Sequence, residues 1–256
     1  MHDTAAIRDG IMPLCLNDLE TRRFGVTCAQ IDGQAAELPN LVEVNQAARA
    51  QRVAMISTRV DVGALDRVHA LEADGYRLMD TLVYYGRSLR GLSKSRPLPA
   101  GITLRLATPE DAPAVERIAR SAFRGYFGHY HADPRLDSAA ADAAYVQWAG
   151  SSVARTDLTT PVLLAVTSND IVGFVTLRLN THDEGEAVLA AINPDCQGTG
   201  LYGHLFEQAL WLCADCGAER MITSTQINNY ATQRVWARLG LMHQRSVYTF
   251  HKWLTS

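Results

Sequence analysis

The sequence has no excess of basic charge. Its 24 Lys and Arg stand against 27 Asp and Glu in 256 residues, a formal net charge of -3, so nothing in it would hold a polyanion by counterion release. Nucleic acid is excluded as a main partner. Long hydrophobic runs are also missing: no stretch approaches about eighteen uninterrupted apolar residues, and Met1 to Gly10 carries His, Asp and Arg where a secretory leader would be apolar. No membrane span is expected, and the default location is cytoplasmic. A disulfide framework is absent too, because Cys15, Cys28, Cys196, Cys213 and Cys216 form an odd set without framework spacing. Cys213 and Cys216 make a C-x-x-C inside WLCADCGA, at the end of a helical pattern and with no second pair for zinc, so packing within a helix is expected of them. Gly and Pro are not enriched, and 47% of residues are hydrophobic, which predicts a folded chain apart from its ends.

What is present divides at a Pro-, Ser- and Arg-rich interval, GRSLRGLSKSRPLPAG from Gly86 to Gly101. Its composition predicts two domains, 1–95 and 100–256. Before it, strands are expected over 25–31, 53–57 and 76–85, and helices over 41–52 and 66–73, a small α/β unit without chemistry of its own. After it, Ile102, Leu104 and Leu106 alternate with polar residues as a strand does. Thr108-Pro109-Glu110 then supplies a cap, a first-turn proline and an acid for a helix towards Phe123. FRGYFGHYHADPRLD from Phe123 is aromatic and turn-rich, and Ser138 to Ser151 returns to a helical pattern. Strands are expected over 162–166, 171–179 and 187–192, with Ser168, Asn169 and Asp170 turning the first pair.

The last of these strands runs into AINPDCQGTGLYGHLFEQALWLCA, a strand, a glycine turn and a long helix. Gly198, Gly200 and Gly203 let the backbone approach a ligand closely, and a helix N-terminus favours negative charge there. A pyrophosphate is the natural occupant; a tight turn without a ligand is the alternative. A Walker loop is excluded because Leu201-Tyr202-Gly203 follows the glycines in place of G-K-[ST]. Dinucleotide binding lacks the acidic residue that should close the next strand, since MITSTQ ends in Gln226.

Gln197-Gly198-Thr199-Gly200, preceded by Ile192-Asn193-Pro194, resembles the Q/R-x-x-G-x-G/A turn of the GNAT superfamily of N-acetyltransferases. The stretch Asn229 to Leu241, NYATQRVWARLGL, resembles that superfamily's second signature, N-x-x-A-x-x-x-Y-x-x-x-G-F. The resemblance covers Ile102 to Phe250. It implies an α/β fold with a mixed, splayed β-sheet, preceded by a degenerate GNAT-like α/β domain, and acetyl-CoA as cofactor. Gln197, Gly198, Thr199, Gly200, Leu201, Tyr202 and Gly203 would then hold the pyrophosphate, Ala190, Ala191 and Ile192 would pair with the pantetheine arm, and Asn229 would face that arm from the opposite helix. Two departures from the pattern bear on the cofactor. Tyr202 takes the place of a Gly or Ala in the turn. Trp236 takes the place of a tyrosine that in many relatives protonates the departing thiolate, which indole cannot do; Trp236 is expected to pack against the cofactor arm.

The whole chain is also similar to bacterial acetyltransferases of nucleotide-linked aminodeoxysugars, of the dTDP-fucosamine kind, through RRFG at Arg22, DGYRLMDTLVYY, FRGYFGHYHADPRLD, YVQW and YTFHKWL. That likeness implies a primary amine of a nucleotide sugar as acceptor, with Arg22, Arg23, Arg124 and Arg135 as candidates for its phosphates. An amino acid or other small amine is the second reading, and a non-catalytic CoA-binding module the third. Candidate acceptors of the amine's proton are Glu186, His129, His131 and Tyr248, with His182, Glu184 and His243 behind them. Glu186 begins the strand leading to the turn, where a solvated carboxylate is the plainer reading. His129 and His131 lie in a polar loop, where capping is. No third ligand accompanies those histidines, so no metal is expected. A homodimer is left open.

Overall fold

The computed structural model describes residues 14–35, 37–92, 96–157, 159–168 and 170–254. The expectations for Met1 to Gly10, the middle of the linker and Asn169 of the hairpin turn lie outside them. Along the chain run β1 (Cys15–Leu16), α1 (Asp18–Phe24), β2 (Cys28–Ile31), α2 (Leu41–Ala50), β3 (Met55–Asp61), α3 (Leu65–Ala73), β4 (Arg77–Ser88), β5 (Thr103–Leu106), α4 (Ala112–Ala122), α5 (His129–Ala132), α6 (Ser138–Ala154), β6 (Val162–Val166), β7 (Ile171–Leu179), β8 (Glu184–Ile192), α7 (Leu201–Asp215), β9 (Arg220–Gln226), α8 (Tyr230–Arg238) and β10 (Met242–Trp253).

These elements form two compact units whose limits differ from the boundary expected at the linker. The first comprises residues 1–81, 128–137 and 246–256, the second 82–127 and 138–245. The physical reason is pairing across long stretches of sequence: Val247–Trp253 of β10 lies antiparallel to Asp61–Met55 of β3, which draws the chain's C-terminal strand into the first unit. Helix α1 and the short α5 were not expected from the sequence.

In the first unit β2 and β3 are parallel, as a connection through α2 requires. Asn40 caps α2 by accepting from the Val42 amide at 3.0 Å. Val44 and Ala48 on one face of α2, and Val68 and Leu71 on α3, pack with Ile56, Val60, Tyr76 and Phe250 into one core. The spacing of those helical residues by three and four puts them on a single face.

In the second unit β5, β6, β7 and β8 pair antiparallel in sequence order, β8 pairs parallel with β9, and β9 pairs antiparallel with Leu82–Ser88 of β4. A mixed sheet results. Helix α7 covers one face through Leu201, Leu205, Phe206, Ala209, Leu210 and Cys213. Helices α4 and α6 cover the other, with Val115, Ile118, Val146 and Val153 against Leu164 and Phe174. Gly185 of β8 allows the close approach of α7, because a Cβ there would meet the Cys213 Sγ at 2.7 Å. The expected hairpin closes with the Thr167 amide donating to the Asp170 carbonyl at 2.8 Å.

Candidate active site

Strands β8 and β9 share only four residue pairs, from Glu184 with Arg220 to Ala187 with Thr223. The cause of their parting lies on the other side of β8. Opposite β7, Thr176 faces Leu189 and Leu177 faces Ala187, so Val188 is an extra residue, a β-bulge. Bulges bend the strand that carries them, and this one falls where β8 leaves β9. Beyond it, Leu189 to Ile192 continues against β7 alone, while Ser224, Thr225 and Gln226 continue against Tyr84, Val83 and Leu82 of β4. The expected splay between the strands ending at Ile192 and Thr225 is thus present, and it leaves backbone donors and acceptors of β8 turned to an open edge.

The turn after Ile192 is ordered by its own side chains. Asn193 Oδ1 accepts from the Asp195 amide at 3.2 Å and the Thr199 hydroxyl donates to the Cys196 carbonyl at 2.7 Å. Gly198 and Gly200 have φ of +77° and +82°, and a Cβ at either would meet nothing within 4 Å. Glycine is therefore required by conformation there, and the space around the loop is open. Gln197, Gly198, Thr199 and Gly200 are all exposed. Helix α7 begins directly after them: the Leu201 amide donates to the Thr199 hydroxyl at 3.4 Å and Gly200 supplies no side-chain cap, which leaves the amides after Leu201 at the positive end of the helix. Arg96 approaches Gly203 and is held by Glu207 at 2.9 Å.

Asn229 caps α8, accepting from the Thr232 amide at 3.4 Å and donating to Thr225 Oγ1 at 2.9 Å. The Tyr126 hydroxyl lies 3.4 Å from the same Thr225 oxygen. Trp236 is 2% exposed, its ring 5.6 Å from those of both Tyr85 and Phe206. Tyr202 stacks on Phe206 at 5.7 Å, and its hydroxyl lies beside the Trp236 indole N–H and the Thr232 hydroxyl. Burial raises the phenol, and those two donors act against the rise. Neither Tyr126, Thr225 nor the Tyr202–Trp236 pairing was foreseen. The two departures from the family pattern were visible, but not that they meet.

Among the acid–base candidates, Glu186 sits at the paired end of the strands, opposite Arg178 and Ile222. It accepts from Arg178 Nη2 at 2.6 Å and Asn180 Nδ2 at 3.0 Å. His129, His131 and Tyr248 belong to the first unit. Tyr248 lies opposite Val60 on β3, and His131 Nδ1 accepts from the Gly128 amide at 3.5 Å. His129 is buried, with Nδ1 3.0 Å from His251 Nε2, and His251 Nδ1 is 2.9 Å from Asp133 Oδ2. Trp253 Nε1 also donates to Asp133 at 2.8 Å. Burial opposes ionisation of Asp133, but the bonds from His251, Trp253 and the Arg135 amide outweigh it and hold the carboxyl below its ordinary range. Ionised Asp133 makes His251 Nδ1 a donor, and a neutral His251 then accepts at Nε2 from His129 Nδ1. His251 and Asp133 carried no local sequence signal for this chain of three. Arg135 and Arg23, candidates for acceptor phosphates, lie over the rings of Trp253 and Tyr130 at 4.2 and 5.7 Å.

Residues 114–241, half of the chain, match the model of the acetyltransferase (GNAT) family, and the protein belongs to that family. Among solved structures it is similar to a GCN5-related N-acetyltransferase from Sphaerobacter thermophilus (TM-score 0.67, 15% identity, 95% of this chain and 76% of that one). It is also similar to one from Kribbella flavida (0.63, 15%, 94% and 86%) and to a tandem GNAT protein from the clavulanic acid biosynthesis pathway (0.64, 13%, 91% and 77%). These likenesses show the fold. A curated relative is the spore coat polysaccharide biosynthesis protein SpsD of Bacillus subtilis (strain 168), 23% identical over 145 residues, which are 57% of this chain. The chain spans about half the length of that relative, 48%.

The residues present fit acetyl-CoA. The glycine turn and the start of α7 suit a pyrophosphate, and the free edge of β8 suits an amide-bearing arm. Among the described residues no helix is long and apolar enough to cross a membrane, and no group of three His, Cys, Asp or Glu is arranged to hold a metal ion.

Proposed function

We propose that this protein transfers an acetyl group from acetyl-CoA to a primary amine of a small acceptor, a nucleotide-linked aminodeoxysugar, by direct attack in a ternary complex. The observation that carries the reading is the bulge at Val188, which parts β8 from β9 beside the start of α7. Acetyl-CoA supplies the acetyl group as an activated thioester. The chain's part is to hold it: amides from Gly198 to Gly203 face the phosphates, and Ala190 to Ile192 offers backbone partners to the arm.

Direct attack, without an acyl-enzyme, is supported by the cysteines. Burial pushes the Cys213 thiol up to about 12, with the neighbouring Cys216 acting in the same direction, which is the reverse of an activated nucleophile. Glu186, bound by Arg178 and Asn180, is assigned the role of holding the paired end of the strands rather than a proton transfer.

The aminosugar reading is supported by the likeness to SpsD, whose name places it in polysaccharide biosynthesis, and by the sequence likenesses along the whole chain. A panel of acceptors with acetyl-CoA tests it: nucleotide-linked aminodeoxysugars, free aminosugars and amino acids, with release of free thiol as the signal. The reading expects thiol release and N-acetyl product with the nucleotide-linked sugars at the highest kcat/KM. A preference for amino acids would replace the acceptor, and release with no amine at all would make the protein a CoA-binding module.

A further inference from the structure

Composition marks the interval between β4 and β5 only as a boundary, yet the structure fastens it at both ends of helix α7. Leu89 and Leu92 join the apolar core that this helix covers, and Arg90 Nη2 pairs at 2.6 Å with Glu219, just past the helix's C-terminal end. Arg96 stands at the opposite end. Its Nε is bound to Glu207 Oε2 at 2.9 Å, and its Nη2 is 3.5 Å from the position that a Cβ on Gly203 would take. The guanidinium is therefore packed on the first turn of α7, directly after the glycine turn. That is the wrong end of a helix for a cation, because arginine is favoured at the C-terminus and opposed by the positive N-terminal end. Glu207 offsets only part of this, since it engages Nε and leaves the Arg96 side chain 55% exposed. Gly203 adds a second observation. It lacks the positive φ of Gly198 and Gly200, and a Cβ there would make ordinary contacts of 3.5 Å with Arg96 and 3.6 Å with Val235. Glycine weakens a helix, and neither the backbone nor the packing of the chain calls for it here; the close approach of a ligand does.

We propose that Arg96 binds a phosphate of CoA at the start of α7, so that the chain between β4 and β5 completes the cofactor site. The inference rests on acetyl-CoA lying at the turn after Ile192, and not on the identity of the amine. A guanidinium is planar and gives parallel N–H bonds to phosphate oxygens. With Nε taken by Glu207, Arg96 offers its two terminal nitrogens for that purpose, Nη2 lying against the turn. The amides of the turn carry only partial charges, so Arg96 supplies the full positive charge that a phosphate there requires. The same anion removes the conflict between the guanidinium and the helix end.

Calorimetric titration of the full chain with acetyl-CoA, wild type against Arg96→Ala, tests this without an acceptor. The pair with Glu207 is too exposed on the arginine side to matter much for folding, so the variant should melt close to the wild type. Its affinity should fall about ten- to a hundredfold, the loss expected for a hydrogen bond to a charged group, and Arg96→Lys should recover part of it. Titration with 3′-dephospho-acetyl-CoA identifies the phosphate. Wild type and Arg96→Ala should converge on one affinity for that ligand if Arg96 holds the 3′-phosphate, and should keep their ratio if it holds the pyrophosphate. S-acetylpantetheine, which carries no phosphate, should bind the two proteins alike. Equal affinity of wild type and Arg96→Ala for acetyl-CoA overturns the proposal. So does an equal loss with S-acetylpantetheine, which would mean that Arg96 shapes the turn and touches no phosphate. If Arg96→Ala does not fold, Arg96→Gln, which keeps a donor for Glu207, carries the same measurements and outcomes. A wild-type protein that binds no acetyl-CoA removes the cofactor reading and this proposal together, whereas an acceptor panel that fails while the Arg96 effect is present removes the aminosugar reading alone.

Discussion

The Thr223 hydroxyl donates to the carbonyl of Ala187 at 2.9 Å, at the last residue pair that β8 and β9 share. It is a side-chain tie at the point where the strands part. Both residues are buried, so Thr223→Val should leave the Ala187 carbonyl with one acceptor site unfilled and cost about 1–2 kcal/mol. Chemical denaturation measures this. A change below about 0.5 kcal/mol would mean that the parting is fixed by the bulge at Val188 alone.

Gly200 has φ of +82° with open space around its missing Cβ. Gly200→Val should therefore cost stability only the backbone strain of about 1–2 kcal/mol, while removing most affinity for acetyl-CoA, because the loop can no longer bring its amides to the phosphates. Calorimetric titration beside a thermal melt separates the two effects. Unchanged affinity in the folded variant would place the cofactor elsewhere.

Glu186→Gln should keep most of kcat and cost about 1–3 kcal/mol of stability, since the largely buried carboxylate is occupied by Arg178 and Asn180. A fall in kcat of a hundredfold with acetyl-CoA affinity intact would make it the base after all.

In the first unit, Asp133 is held below its ordinary pKa by His251 and Trp253 against the cost of burial. Its folded pKa is depressed, so its stabilisation is present above the unfolded value of about 3.9 and is lost as pH falls through the folded one. Asp133→Asn should cost about 2 kcal/mol at pH 7 and flatten the acid limb of stability below about pH 4. Denaturation midpoints between pH 2 and 7 check this. A variant with an unaltered acid limb would show that Asp133 is not the group responsible.

Local order was legible in the sequence. The start at Thr108-Pro109, the glycines of the cofactor turn and the apolar runs of 162–166 and 171–179 all depend on neighbours within a few residues, and the structure has the corresponding cap, turn and strands. What could not be read involves partners far apart. His129 and His251 are 122 positions apart, and nothing within YTFHKWL signals a bond to GHYHADPR. The bulge is hidden for a similar reason: EGEAVLAAI reads as an ordinary strand, and Val188 becomes an extra residue only in register with β7. Nor does the composition of the linker tell where β10 will pair, since its partner β3 lies far away in the sequence.

The account depends most on the cofactor lying where β8 and β9 part, and amide hydrogen exchange measures that site directly. On addition of acetyl-CoA, peptides covering 188–192 and 197–205 should gain protection, while those of β5 and β6 stay unchanged, and NAD should give no protection. Protection confined to another part of the chain, or equal protection by NAD, would contradict it.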